Sequence, residues 1–160
     1  GELPIARIAP SHGPLYPRPA FIMDAYRDWV SESCKNIAVI PYVSMHGSTE
    51  KLIQQLVSRL AARNITVHLF DLAVTDLGKL AESLVDAATV VFGVPTVLAG
   101  PHPAVAYAAL LTNALRPKIR YASLVGSYGW ASRISEQIQG LLGNLKVEFL
   151  EPVIVRSLSK

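Results

Sequence analysis

The run Ile37-Ala38-Val39-Ile40-Pro41-Tyr42-Val43, leading straight into Ser44-Met45-His46-Gly47-Ser48-Thr49, has the pattern of a buried strand handing over to a helix. Seven nearly continuous apolar residues suit a strand covered on both faces, as central parallel strands are. The six that follow are, apart from Met45, small, polar or turn-forming. Beyond them lies Glu50–Arg63, where Leu52, Ile53, Leu56, Val57, Leu60 and Ala61 form one stripe at i, i+3, i+4 spacing. Strand, tight loop and amphipathic helix together open a βαβ unit.

The alternation continues downstream. Thr66–Asp71 reads as a second strand, and Asp76–Asp86 as a helix with Leu77, Leu80, Ala81 and Leu84 on one face. Thr89–Val94, rich in β-branched residues, is a third strand, followed by a helix over Pro103–Leu115. Tyr121–Gly126 is a fourth strand, Ser132–Leu142 a helix, and Lys146–Leu150 or beyond a fifth strand. Five strands alternating with helices predict the α/β class: a doubly wound parallel sheet with helices on both faces. Upstream the chain differs. Five of its eleven prolines (Pro4, Pro10, Pro14, Pro17, Pro19) fall before residue 20, a density that opposes regular structure. Phe21, Ala25, Tyr26, Trp29 and Val30 then recur at helical spacing, predicting a helix over 20–31. Residues 1–33 are accordingly expected to be an appendage, and 34–160 the domain proper.

Composition narrows the class. The chain has 160 residues, 51% of them apolar and 17% charged, enough to fill one domain's core and too apolar for disorder. No stretch of about 18 residues is free of polar interruption, so no membrane span is expected. The opening Gly1-Glu2-Leu3-Pro4 lacks the basic and then apolar regions of a signal peptide. The single cysteine, Cys34, forms no internal disulfide and fits a reducing cytoplasm. Fifteen Lys and Arg against twelve Asp and Glu give a net charge of +3. Those cations are scattered rather than gathered in a stripe with aromatics, which argues against nucleic acid and leaves room for an acidic protein partner.

In an open α/β sheet, ligands bind beyond the carboxyl ends of the strands, where strand order reverses. Three loops stand there. The first, 44–49, has a glycine for a tight turn, three hydroxyls and a helix N-terminus, the elements of an anion cradle. It lacks the lysine of a P-loop and the glycine spacing of a dinucleotide fingerprint. A plainer reading is that Ser48 or Thr49 only caps the helix, with Glu50 favourably placed against its dipole. The second loop, 93–103, and the third, 126–132, flank the same end of the sheet. In the third, Tyr128 and Trp130 surround Gly129, an arrangement suited to a flat ring stacked on an aromatic. Alternatively, both aromatics close the core.

Together these segments resemble the flavodoxin-like family, whose phosphate-loop pattern is matched by Ser44, Gly47 and Thr49. More narrowly, Ser44–Thr49, Pro95-Thr96 and Ser127-Tyr128-Gly129-Trp130 resemble the flavodoxin domain of flavodiiron proteins, the A-type flavoproteins. The Ser-Tyr-Gly-Trp tetrapeptide is the most specific of the three. Ala9-Pro10-Ser11-His12-Gly13-Pro14 is similar to the end of that family's metallo-β-lactamase-like domain, where the histidine is a di-iron ligand. The resemblance implies a three-layer fold with strand order 2-1-3-4-5. It further implies that 1–33 is the tail of a missing di-iron domain. The chain departs from the pattern in several places. The other iron ligands are absent, so no metal is expected here. Leu98 stands where many relatives have Asn, and Ala131-Ser132 where Ser-Gly is commoner. The chain also stops at Lys160, before the family's last helix.

By this resemblance the cofactor is FMN. Ser44, His46, Gly47, Ser48 and Thr49 would hold its phosphate, with Met45 among the cofactor-binding residues. Pro95, Thr96, Val97, Leu98 and Ala99 would line one side of the ring, with Ser127, Tyr128, Gly129 and Trp130 on the other. The domain would be an electron carrier within a cytoplasmic oxygen or nitric oxide reductase. It would take electrons from a rubredoxin-like or other reductase donor and pass them to the di-iron domain, with a homodimer as the family assembly. The alternatives are a free-standing flavin-dependent quinone or NAD(P)H reductase and an interaction module on the same fold without cofactor. His102 is expected to be a solvent-facing loop residue, and His68 a structural one.

Overall fold

The computed structural model describes residues 4–156, which divide into two compact units at Ser33/Cys34. The first unit contains α1 (Pro19–Val30), with Pro19 pre-set for the first helical position. None of its residues is buried. Tyr26 and Trp29 meet edge to face at 5.4 Å, and Arg27 pairs with Asp24 at 2.8 Å on the surface. The proline-rich residues before α1 do carry one piece of pairing, an isolated antiparallel bridge closed by two hydrogen bonds between Ile8 and Tyr16.

The second unit is built on β1 (Lys35–Tyr42), β2 (Thr66–Asp71), β3 (Ala87–Val97), β4 (Gly100–Pro101), β5 (Tyr121–Tyr128), β6 (Glu148–Phe149) and β7 (Val153–Arg156). Its helices are α2 (Ser48–Ala61), α3 (Leu77–Leu84), α4 (Pro103–Leu115) and α5 (Ile134–Leu141). The sheet runs β2-β1-β3-β5-β6, all parallel; β7 also lies parallel to β5, and β4 folds back antiparallel on β3. With β6 and β7 taken as one interrupted strand, and β4 as a hairpin return, this is the expected 2-1-3-4-5 order. The fifth strand departs from its expected span. Pro152, with no N–H to donate, falls in the gap between β6 and β7. Across that gap Leu150 N–H donates to Ala122 O (2.7 Å) and the Ser123 hydroxyl to Glu151 O (3.4 Å). Residues 157–160, on which the expectation about a last helix turns, lie outside the described residues.

Two apolar layers hold the sheet. On one face α3, α4 and α5 bring Leu80, Leu84, Val105, Ala108, Ile134 and Ile138 onto Val39, Val90, Phe92, Val94 and Leu124, all essentially fully buried. At about 1.5–3 kcal/mol for each large side chain removed from water, this layer dominates the fold's stability. On the other face α2 packs Ile53, with Leu52, Leu56, Val57 and Leu60, onto Ile40, Tyr42, Val91 and Val125. The packing is close where β5 passes under α5. A Cβ on Gly126 would lie 2.5 Å from Ile134 Cδ1 and 2.7 Å from Val94 O, so only glycine fits. Among the described residues no helix is long and apolar enough to cross a membrane.

Candidate functional site

The β1–α2 loop is shaped by Ser44 and Gly47. Gly47 caps α2 with φ at 78°, a left-handed conformation that glycine adopts without strain. A Cβ there would meet nothing, so the dihedral and not the space selects the residue. The Ser44 hydroxyl oxygen accepts from Gly47 N–H (3.2 Å) and Glu50 N–H (3.3 Å). Both acceptor sites of the hydroxyl are thereby used, and its proton remains a donor. The capping role is therefore Ser44's: Ser48 and Thr49 are already helical, which corrects the plainer reading of those two. Thr49 is buried, and its hydroxyl bonds the Ser127 hydroxyl at 3.2 Å, tying the loop to the end of β5.

The second segment differs from its expected form. Because β3 extends to Val97, Pro95, Thr96 and Val97 are strand residues, and Leu98-Ala99 is a two-residue turn back into β4. Both turn residues have positive φ, 49° and 65°. That is the sign pattern of a type I′ hairpin, which ordinarily calls for Asn-Gly. A non-glycine residue in this region is strained by about 1–2 kcal/mol. The turn is held from below by Arg133 N–H donating to Ala99 O (2.7 Å) and by Thr96 Oγ1 bonded to Ser132 Oγ (3.0 Å). Leu98 projects from it 99% exposed.

The third segment begins inside β5, which carries Ser127, buried, and Tyr128, half-buried. Gly129 O then accepts from Arg156 Nε at 3.2 Å. Trp130 is 92% exposed. The reading that it closes the core is thereby overturned: the last buried residue of β5 is Ser127.

All three segments meet in a cavity of about 610 Å³. Met45, His46, Ser48 and Thr49 line it from the first, Pro95, Thr96, Leu98 and Ala99 from the second, and Ser127, Tyr128, Gly129 and Trp130 from the third. Ser44, Gly47 and Val97 are not on its wall: the first two shape the loop from behind, and Val97 is the strand residue paired with Gly100. Two lining residues were not anticipated, Lys51 and Ala131. Lys51 did carry a signal, a cation in the first turn of a helix, where the dipole disfavours it unless an anion is near. Ala131 carried none.

Electrostatically the cavity has a basic end, made by His46, Lys51 and the start of α2. Behind it Tyr42 is buried, and burial first, then the Asp71 and Glu50 carboxylates, raises its phenol above 10.0. The remaining histidines take other roles. His102 is a loop residue, as expected, but half-buried rather than solvent-facing, and its Nδ1 accepts from Ala104 N–H to cap α4. His68 Nδ1 bonds Ser83 Oγ at 2.6 Å, the structural role expected. Among the described residues no three His, Cys, Asp or Glu side chains gather as a metal site.

This geometry agrees with what the chain is similar to. The sequence pattern of the flavodoxin family matches residues 40–157. The nitric oxide reductase of Moorella thermoacetica is 34% identical over 150 residues, which cover 93% of this chain and 38% of that protein. Rubredoxin oxygen:oxidoreductase from Desulfovibrio gigas superposes with a TM-score of 0.88 at 26% identity, over 96% of this chain and 39% of that one. The flavodiiron protein of Giardia intestinalis shares the fold, with a TM-score of 0.81 at 21% identity, over 98% of this chain and 40% of that one. The chain thus spans about two-fifths of the length of these relatives. Flavodoxin domains and flavodiiron proteins bind FMN. The chain belongs to the flavodoxin family, and within it corresponds to the flavodoxin-like part of flavodiiron proteins.

Proposed function

We propose that this chain binds FMN in the cavity between the three segments and serves as the electron-transfer domain of a longer flavodiiron-type reductase. One observation carries the reading: a single cavity joins an anion-cradling end to a flat, half-apolar one. Its size lies within the roughly 300–1,000 Å³ usual for small-molecule sites. At the cradle end the Ser48 and Thr49 hydroxyls, Lys51 and the α2 N-terminus suit a phosphate, on a loop that Ser44 shapes from behind. At the other end the Leu98-Ala99 turn and the Tyr128–Trp130 segment suit the two sides of a ring. When bound, FMN supplies the redox chemistry, and the protein supplies binding, orientation and exclusion of water.

The donor is a rubredoxin-like protein or comparable reductase, and the acceptor a di-iron domain of the same longer protein, from which residues 1–33 derive. Dioxygen or nitric oxide is the terminal substrate, in keeping with the names of the relatives. A cytoplasmic setting accords with the lone thiol of Cys34. A homodimer would let the ring of one copy face the iron of the other. The test is to compare FMN with riboflavin. A phosphate-cradling site binds FMN at least tenfold more tightly; equal affinities contradict the assignment of residues 44–51 to phosphate.

A further inference from the structure

Trp130 forms part of the cavity wall, yet its side chain is 92% exposed and is not held by packing in the core. Its place must come from the backbone that carries it. That backbone is fastened at both ends. Before the tryptophan, Gly129 O accepts from Arg156 Nε at 3.2 Å, a bond reaching from β7 across to the end of β5. After it, Ser132 Oγ bonds Thr96 Oγ1 at 3.0 Å, and Arg133 N–H donates to Ala99 O at 2.7 Å. The last two bonds end on the opposite wall of the cavity, the strained hairpin that carries Leu98. Ser132 also lies within 3.5 Å of Ile134 N, at the start of α5, so the hydroxyl joins the hairpin, the Trp130 segment and a core helix.

We infer that Ser132 and Arg156 are positioning residues that hold the Trp130 segment at a fixed distance from the Leu98-Ala99 turn, so that the slot for a flat ring is preformed. Neither residue lines the cavity. The inference rests on the proposed FMN reading and deepens it: that reading names the walls, and this one names what sets the gap between them. A loose wall would have to be ordered at the moment of binding, and that ordering reduces affinity. Ser132→Ala removes the side-chain link to Thr96, while Ser132→Thr keeps the hydroxyl. Arg156→Gln shortens the side chain and withdraws the guanidinium from Gly129 O.

The experiment titrates wild type, Ser132→Ala, Ser132→Thr and Arg156→Gln with FMN and separately with riboflavin, following flavin fluorescence. In Ser132→Ala and Arg156→Gln, FMN affinity falls about five- to tenfold, the usual consequence of one lost hydrogen bond. Riboflavin affinity falls by the same factor, because the change is at the ring end. Flavin fluorescence, quenched by the stacked indole in wild type, partly returns at saturation. Ser132→Thr restores affinity and quenching, and the parallel loss in Arg156→Gln, whose bond runs to Gly129 O and not to α5, is what a defect confined to that helix would not produce. Wild-type affinity and quenching in both loss variants overturn the inference while leaving the FMN reading intact. So does a loss confined to FMN, since that places the effect at the phosphate. A wild-type chain that takes up neither flavin overturns the reading itself, and the inference with it.

Discussion

Thr49 illustrates how much the site depends on single hydroxyls. It is buried, shares its hydrogen with Ser127 at 3.2 Å, and sits at the head of α2 where a phosphate would lie. Thr49→Val keeps the shape and removes the hydroxyl, so FMN binding should weaken by about 1–3 kcal/mol, the range for a hydrogen bond to a charged group. Calorimetric titration reads this directly, and unchanged affinity would take Thr49 off the phosphate. The Leu98-Ala99 turn makes the opposite prediction, for stability. Ala99 pays for a left-handed φ of 65° that glycine adopts freely. Ala99→Gly should therefore raise the unfolding free energy by up to about 1 kcal/mol in a denaturant titration. Tyr42 predicts a pH dependence. Its phenol is raised above 10.0, so the folded chain favours the neutral form more than the unfolded chain does. That contribution is fully present below about pH 10 and is lost as pH rises through the folded value. Tyr42→Phe, with nothing to ionise there, should lose less stability than wild type as pH rises above about 10.

At the scale of elements, the close approach of β3, β5 and α5 fixes where the site stands. Gly126→Ala would drive a methyl group against Ile134 Cδ1 and, less forgivingly, the backbone oxygen of Val94. Overpacking of this kind costs about 1–3 kcal/mol, and here it should also move α5, to which the Trp130 segment is joined. A lowered melting temperature with weakened flavin uptake is the expected result. The elements themselves were legible in the sequence wherever periodicity was strong: the run 37–43, the stripe of α2, and the apolar faces of α3 and α5. Their ends were not. Pro95, Thr96 and Val97 carry no hydrophobic alternation that separates a strand's end from a loop, and pairing with Gly100–Pro101 decides the matter. The hairpin turn was illegible for a plainer reason, since Leu-Ala is the wrong chemistry for it and tertiary bonds from Arg133 and Ser132 hold it there. Likewise Ser44 reaches six residues along the chain to cap Glu50 N–H, a longer span than the usual capping patterns encode.

For the whole molecule, topology places the chemistry. The order β2-β1-β3-β5 puts the reversal of direction at β1 and β3, and the cavity opens beyond the carboxyl ends of β1, β3 and β5. Parallel strands covered by α3, α4 and α5 on one face and α2 on the other supply the rigid base, and the polar residues are carried at its edge. Three short segments far apart in sequence thereby become one site. Twelve of the fifteen residues named from sequence for that site line it, because a motif at a strand's end has only one side of the sheet to face. The three that do not are Ser44, whose hydroxyl holds the loop from behind, Gly47, whose dihedral turns it, and Val97, which pairs with Gly100. The central claim is that this chain takes up FMN by itself. Titrating the purified chain with FMN while recording its absorbance and fluorescence tests that most directly. The account predicts saturable one-to-one binding, with a shifted visible band and quenched emission. An unaltered flavin spectrum at every protein concentration would contradict it.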